Sequence, residues 1–315
     1  MNGVLMGPQR DTDALSDVMA VLRVKEPIAL VTAGWQERED QDRQIDAQLG
    51  GKTVNLRLHA RAEQVFAEDP DYAALHRTRQ DRLRHRQEYY RVRLARAADA
   101  TLEIKRISAG SAYADEEEQL SLENIRRLDD EHLAQCRETR LEFENRVRPF
   151  ERPAIAKQRE ELRKILEGTP TIAIAGGHVA VLLNRMRMFG VADLLADQTL
   201  IAWAGGAMVS GDRVVLFHES PPHGVGVSEV MDDGLGLHTG ILPLPNPRLR
   251  LKLDDTFRVG WMARRNAPAR CVAFDYGEWV CFSGRRWFNP SGTTLLKPDG
   301  ALSTTWAPKR SWAEQ

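Results

Sequence analysis

The sequence predicts an α/β protein: a mostly parallel sheet with helices on both faces, interrupted by a long helical-hairpin insertion and finished by C-terminal β-hairpins. Three observations carry this. Short, near-continuous apolar runs at Val4-Leu5-Met6, Ile28 to Thr32, Thr171 to Ala175 and Leu200 to Trp203 have the composition of strands buried on both faces. From about Ala60 to Gly168, Arg, Glu and Gln dominate and apolar residues recur at helical spacing. From Cys271 to Leu302 the pattern alternates, with turn signals at Tyr276-Gly277 and Pro298-Asp299-Gly300. The expected organisation is a first α/β part over 1–59, a coiled-coil-like helical insertion over 60–168 and a second α/β part over 169–315.

Taken in order, Val4 to Met6 opens the sheet, Asp13 to Leu22 is amphipathic, and Ile28 to Thr32 is a second strand. Val54 to Leu58 is a short third strand. In the insertion, Leu83, Tyr90 and Leu94 form one stripe of a first long helix, which Ser108-Ala109-Gly110-Ser111 breaks. A second helix from about Asp115 to Arg148 carries Leu122, Ile125, Leu133 and Cys136 near one face until Pro149 and Pro153 stop it. A third, with Ile155, Leu162, Ile165 and Leu166, ends at the C-cap residue Gly168. Helices this polar cannot be buried all round, so a protruding antiparallel arm is expected. Its apolar stripe needs an opposite surface, which makes it a candidate for homo-oligomerisation or for docking a protein partner. Beyond it come a helix from Ala180 to Met188, a strand from Arg213 to Phe217 and a helix from about Asp254 to Arg265.

Composition bounds the function. The 315 residues are 42% hydrophobic and 28% charged, enough for a sizeable core yet polar for a single globule. With 44 basic and 45 acidic residues the net charge is −1, so no general attraction to nucleic acid or anionic membrane is expected. Interleaved Asp and Glu dilute even the Arg-rich segment from Arg77 to Arg96. No apolar run approaches the roughly 20 residues that cross a bilayer. Three cysteines without a CxxC pairing, and no signal-peptide pattern, make a reducing cytoplasm the expected compartment. No residue pattern calls for a cofactor. His218, Glu219 and His223 match no strong metal-ligand spacing, so no metal is expected either.

The feature with chemical content is Ala202-Trp203-Ala204-Gly205-Gly206-Ala207, small residues following a buried strand and opening a helix. In a small-x-nucleophile-x-small elbow the turn is so tight that the residues two positions either side must be small, and here they are Ala202 and Gly206. The nucleophile position is Ala204, whose methyl group cannot attack a carbonyl. The Gly205 N–H, at the start of the helix, and the pair Gly176-Gly177 after the preceding strand are the candidate oxyanion or ligand contacts, with His178 beside them. The same small residues would also serve simple close packing of helix on sheet. Gly176-Gly177 lacks the further glycine of a dinucleotide fingerprint.

The run Thr171 to Gly190, the elbow Ala202 to Ala207 and the segment Leu235-Gly236-Leu237 resemble the peptidase E and cyanophycinase family of serine peptidases, which has the class I glutamine amidotransferase-like fold. The resemblance covers roughly Gly3 to Leu58 and Thr171 to Gly300 and leaves the insertion outside. It implies a serine in the elbow, an acid after it and a histidine beyond the Leu-Gly-Leu segment. Those roles fall on Ala204, on Glu219, and on Pro245 or its neighbour Asn246. Two of the three are unfilled, and an acid alone makes no nucleophile. His218, His223 and His238 are the candidate substitutes for the base.

The resulting expectation is a catalytically degenerate serine-peptidase-like protein that binds a small-molecule or peptide ligand in the former active-site pocket. The alternative is an active serine hydrolase whose nucleophile has been replaced by alanine at position 204. Acid/base chemistry by Glu219 with a histidine is a third reading of the same pocket.

Overall fold

The computed structural model describes residues 1–9, 14–217 and 227–305. In chain order the first elements are β1 (Asn2–Met6), α1 (Ala14–Leu22), β2 (Ile28–Val31), α2 (Arg43–Gln48), β3 (Thr53–Asn55) and α3 (Leu58–Glu68). The insertion follows as α4 (Pro70–Ser108), α5 (Ala114–Val147) and α6 (Pro153–Glu167). Then come β4 (Thr171–Ile174), α7 (Val179–Met188), α8 (Val191–Leu194), β5 (Thr199–Trp203), α9 (Gly205–Ser210), β6 (Arg213–Leu216), β7 (Glu229–Asp233), β8 (Ile241–Pro245), α10 (Pro247–Arg250) and α11 (Thr256–Asn266). The chain closes with β9 (Arg270–Phe274), β10 (Trp279–Ser283), β11 (Arg286–Phe288), β12 (Thr294–Leu296) and β13 (Leu302–Ser303).

The central sheet has the order β11-β10-β1-β5-β4-β2-β3, parallel from β1 to β3, with the β10–β11 hairpin added antiparallel beside β1. Its period of two divides the apolar strand residues between two cores. Val4, Met6, Ile28, Leu30, Ala173 and Ile201 face α1 and α2, whereas Leu5, Ala29, Val31, Ile172, Ile174 and Leu200 face α3, α6, α7 and α9. Coverage on both faces is why these strands read as unbroken apolar runs. The expected α/β class, the insertion and the C-terminal hairpins are all present.

Two local readings are corrected. The third strand stops at Asn55, because Arg57 turns through a left-handed conformation (φ 50°) and Leu58 already begins α3. Of the C-terminal strands only β10 and β11 close the main sheet; β9, β12 and β13 join β8 in a second, four-stranded sheet, in which β8 and β9 run parallel.

The insertion departs most from expectation. It is an antiparallel helix pair, laced by Arg82–Glu142 at 2.8 Å and Arg86–Glu138 at 3.6 Å, but much of it is docked on the body rather than standing in solvent. Tyr90 and His132 stack at 4.3 Å, and Tyr90 donates to Asp129 at 2.6 Å. Arg265 of α11 grips Asp129 through two bonds of 2.8 and 2.7 Å and bonds the Ser228 carbonyl at 2.7 Å. Arg137 and Arg140 bond Asp233 at the end of β7, each at 2.7 Å. Of the apolar stripes, Leu94, Leu122, Ile125, Leu133 and Cys136 are buried within the chain. No helix among the described residues is long and apolar enough to cross a membrane, and the described structure holds three free, buried cysteines.

Candidate functional site

The carboxyl ends of β1, β5, β4 and β2 lie side by side, and the loops leaving them enclose a cleft of about 720 Å³. The chain leaves β2 toward β3 through α2 on one face, and leaves β4 toward β5 through α7 on the other. Strands that diverge in this way open a crevice between their loops, where open α/β sheets place ligands.

Close backbone packing shapes the floor. A Cβ on Gly206 would collide with the Ile174 carbonyl oxygen, and one on Gly176 would lie 2.9 Å from the Ala204 methyl. Gly177 holds φ 128° against Gly34, whose carbonyl accepts from the His178 N–H at 2.8 Å. The glycines after β4 and β5 are therefore required by the approach of three loops. The elbow is formed: Ala204 holds φ 49°, ψ −121°, its N–H donates to the Met6 carbonyl at 3.0 Å, and its carbonyl accepts from Met208 at 3.1 Å. Gly205 opens α9, so its N–H is among those a helix leaves unpaired at its start.

Six described non-glycine residues have positive φ, and three of them, Gln36, Ala204 and Asn246, line this cleft. Gln36 repeats the conformation of Ala204 at φ 59°, ψ −126°. Each such residue costs about 1–3 kcal/mol and persists only where its surroundings over-determine it. Around Gln36 they do. Thr32 donates to the Glu39 carbonyl at 2.7 Å, and the Asn55 amide donates to Thr32, Glu39 and Asp42 at 2.7–3.0 Å. The Glu39 carboxylate accepts from the His59 and Ala60 N–H groups at the start of α3, at 3.0 and 2.6 Å, so this buried acid is a helix cap.

The lining is rich in carboxamides. Gln9, Gln36, Gln41, Gln44 and Asn246 contribute amides, and Trp35, Trp203 and Tyr276 contribute aromatic surface. Gln9 Oε1 and Asn246 Oδ1 are buried without a hydrogen-bond partner. Among the described lining residues the titratable side chains are Arg38, His178 and Tyr276. His178 caps α7: its Nδ1 accepts from the Val181 N–H at 3.3 Å, so in the neutral ring the proton sits on Nε2 and that nitrogen is a donor.

The structure thus brings Gly176, Gly177, His178, Ala204, Gly205 and Asn246 to one place. It puts His238 elsewhere. That ring is buried behind α9, with Nε2 3.4 Å from the Ala207 carbonyl and packed against Phe282 and, edge to face, Trp287, with ring centroids at 5.9 and 5.6 Å. Burial pushes its pKa down to about 4, and it does not line the cleft. His218, Glu219 and His223 lie outside the described residues. Among the described residues no three His, Cys, Asp or Glu side chains are grouped so as to hold a metal ion. The loop after β2, with Gln36 and Arg38, went unread in the sequence. Its signal was Ala33-Gly34 directly after a buried strand, the same small-residue pattern that marked the elbow.

No family model matches the chain, and no curated protein matches it. Among solved structures it is similar to a crystal structure described as a peptidase from an acI-B1 actinobacterium, at 12% identity and a TM-score of 0.46, over 94% of this chain and 91% of that one. It is also similar to a putative peptidase E protein from Listeria monocytogenes EGD-e, at 16% identity and a TM-score of 0.28, over 41% of this chain and 63% of that one.

Proposed function

We propose that the chain is a peptidase-like α/β protein whose elbow cleft binds a peptide without cleaving it. The observation that carries this reading is Ala204: it keeps the strained elbow conformation at the carboxyl ends of the parallel strands while offering no reacting atom. The described lining supports the same view. His178 spends its acceptor nitrogen on the α7 cap, and Glu39 spends its carboxylate on α3. Five carboxamides, each with donor and acceptor, complement the peptide groups of an extended chain, and Arg38 complements a terminal carboxylate.

The test is calorimetric titration of the unaltered protein with tetra-alanine, followed by mass spectrometry of the peptide after prolonged incubation. Saturable binding is expected, weakened at least tenfold by Arg38→Ala or by Gly176→Ala, with the peptide intact. Fragments of the peptide, or no heat of binding, would sink the proposal.

One observation favours a second reading, an active serine hydrolase with its nucleophile replaced by alanine. Strain of about 1–3 kcal/mol at Ala204 has no use in a turn without a nucleophile. Returning serine to position 204 separates the two.

A further inference from the structure

A second cavity, of about 560 Å³, lies between the helical insertion and α7 and shares no lining residue with the elbow cleft. Its walls combine apolar side chains, among them Leu83 of α4, Leu183 and Met188 of the α7 side, and Met231 of β7, with a group of arginines. Four of the five are already paired, Arg84 with Asp81 at 3.1 Å and Arg148 with Glu151 at 3.5 Å, the other two with carboxylates of β7. Arg140 bonds Asp232 and Asp233, and Arg187 bonds Asp232 at 2.7 Å. Arg79 is different: its Nε is fully buried without a hydrogen-bond partner, and among the described residues no carboxylate lies within ion-pair distance of it. Its guanidinium rests on the Phe143 ring at 4.4 Å. Glu144, on the same wall, lies beyond ion-pair distance and attracts it only at longer range.

A cation in such a place is costly unless something neutralises it. Burial, with smaller contributions from the positive charges of Arg187 and Arg140, holds Arg79 below the usual guanidinium range, and the Glu144 carboxylate offsets this only in part. Tyr72 lines the same space, and burial pushes its phenol up to about 12, so it stays a neutral donor near pH 7. The volume suits a small molecule, and the wall offers apolar surface with one concentrated positive charge.

We propose that this cavity binds a small molecule with an apolar body and a single anionic head, a carboxylate or a phosphate monoester, and that Arg79 is the partner of the head group. The apolar body lies along Leu83, Leu183 and Met231, between the insertion and the α/β body. The ligand would thereby tie the two parts together.

The test is displacement of the fluorescent dye anilinonaphthalene sulfonate from the full chain by decanoate, by decyl phosphate and by the neutral decanol. At least one anion is expected to displace the dye at a concentration tenfold or more below decanol, and the stronger of the two identifies the head group. Arg79→Met should abolish the anion preference while leaving the thermal midpoint unchanged or raised, since it removes a partly buried cation with no ion-pair partner among the described residues. Leu83→Trp, which narrows the cavity and keeps the charge, should weaken dye binding at least tenfold. Equal displacement by decanol and both anions, no displacement at all, or an anion preference that survives Arg79→Met would overturn the proposal. So would a lowered midpoint with unchanged displacement in Arg79→Met, which would assign Arg79 to structure alone.

Discussion

Gln36 and Ala204 line one cleft in nearly the same strained conformation, φ 59°, ψ −126° and φ 49°, ψ −121°, in the segments that follow two parallel strands. Neither is glycine, so each carries a Cβ where the backbone disfavours one. Relief of that strain should outweigh the added chain entropy of glycine. Ala204→Gly is therefore expected to stabilise the protein by about 1 kcal/mol in urea denaturation. A loss of stability would mean that the turn is not strained.

The buried pair Asp129–Arg265 joins the insertion to α11, both side chains being 1% exposed. Asp129→Ala leaves a buried guanidinium unpaired and is expected to cost about 3–5 kcal/mol. Arg137→Ala removes a half-exposed partner of Asp233, which Arg140 also holds, and is expected to cost under about 1 kcal/mol. Equal losses in urea denaturation would show that the insertion is not anchored through Asp129.

Acid should weaken the fold through two histidines. Burial lowers the pKa of His238 to about 4 and that of His76 to about 3, below the ordinary 6.5. Between those values the unfolded chain binds more protons than the folded one, so stability rises with pH in that window. It is complete above 6.5 and is lost as pH falls through 4 and then 3. For His238 the difference corresponds to about 3 kcal/mol. His238→Phe is expected to remove about one proton from the pH dependence of the unfolding free energy between pH 4 and 6.5. An unchanged dependence would show that the ring is already charged in the fold.

The sheet and the elbow were legible because both rest on local pattern. Unbroken apolar runs such as Ile28 to Val31 mark doubly covered strands, and Ala202 and Gly206 mark a tight turn whatever stands between them. The docking of the insertion was not legible. Tyr90 reads only as part of an apolar stripe, and no local pattern links Asp129 to Arg265, 136 positions away, until the fold brings all three together. Gln36 was missed for a related reason: its conformation is imposed by Thr32, Glu39 and Asn55, whereas its own side chain carries no preference for it. His238 misled by lying near the right segment in sequence while packing behind α9 in space.

The most direct measurement supplies the reacting atom that Ala204 lacks. Ala204→Ser places a hydroxyl in an elbow that is otherwise formed, and a fluorophosphonate probe followed by peptide mass spectrometry reports whether that hydroxyl is activated. A binding cleft without a working base leaves position 204 unlabelled and tetra-alanine uncleaved. Phosphonylation at position 204 together with peptide hydrolysis would contradict the binding reading and identify a serine hydrolase lacking only its nucleophile.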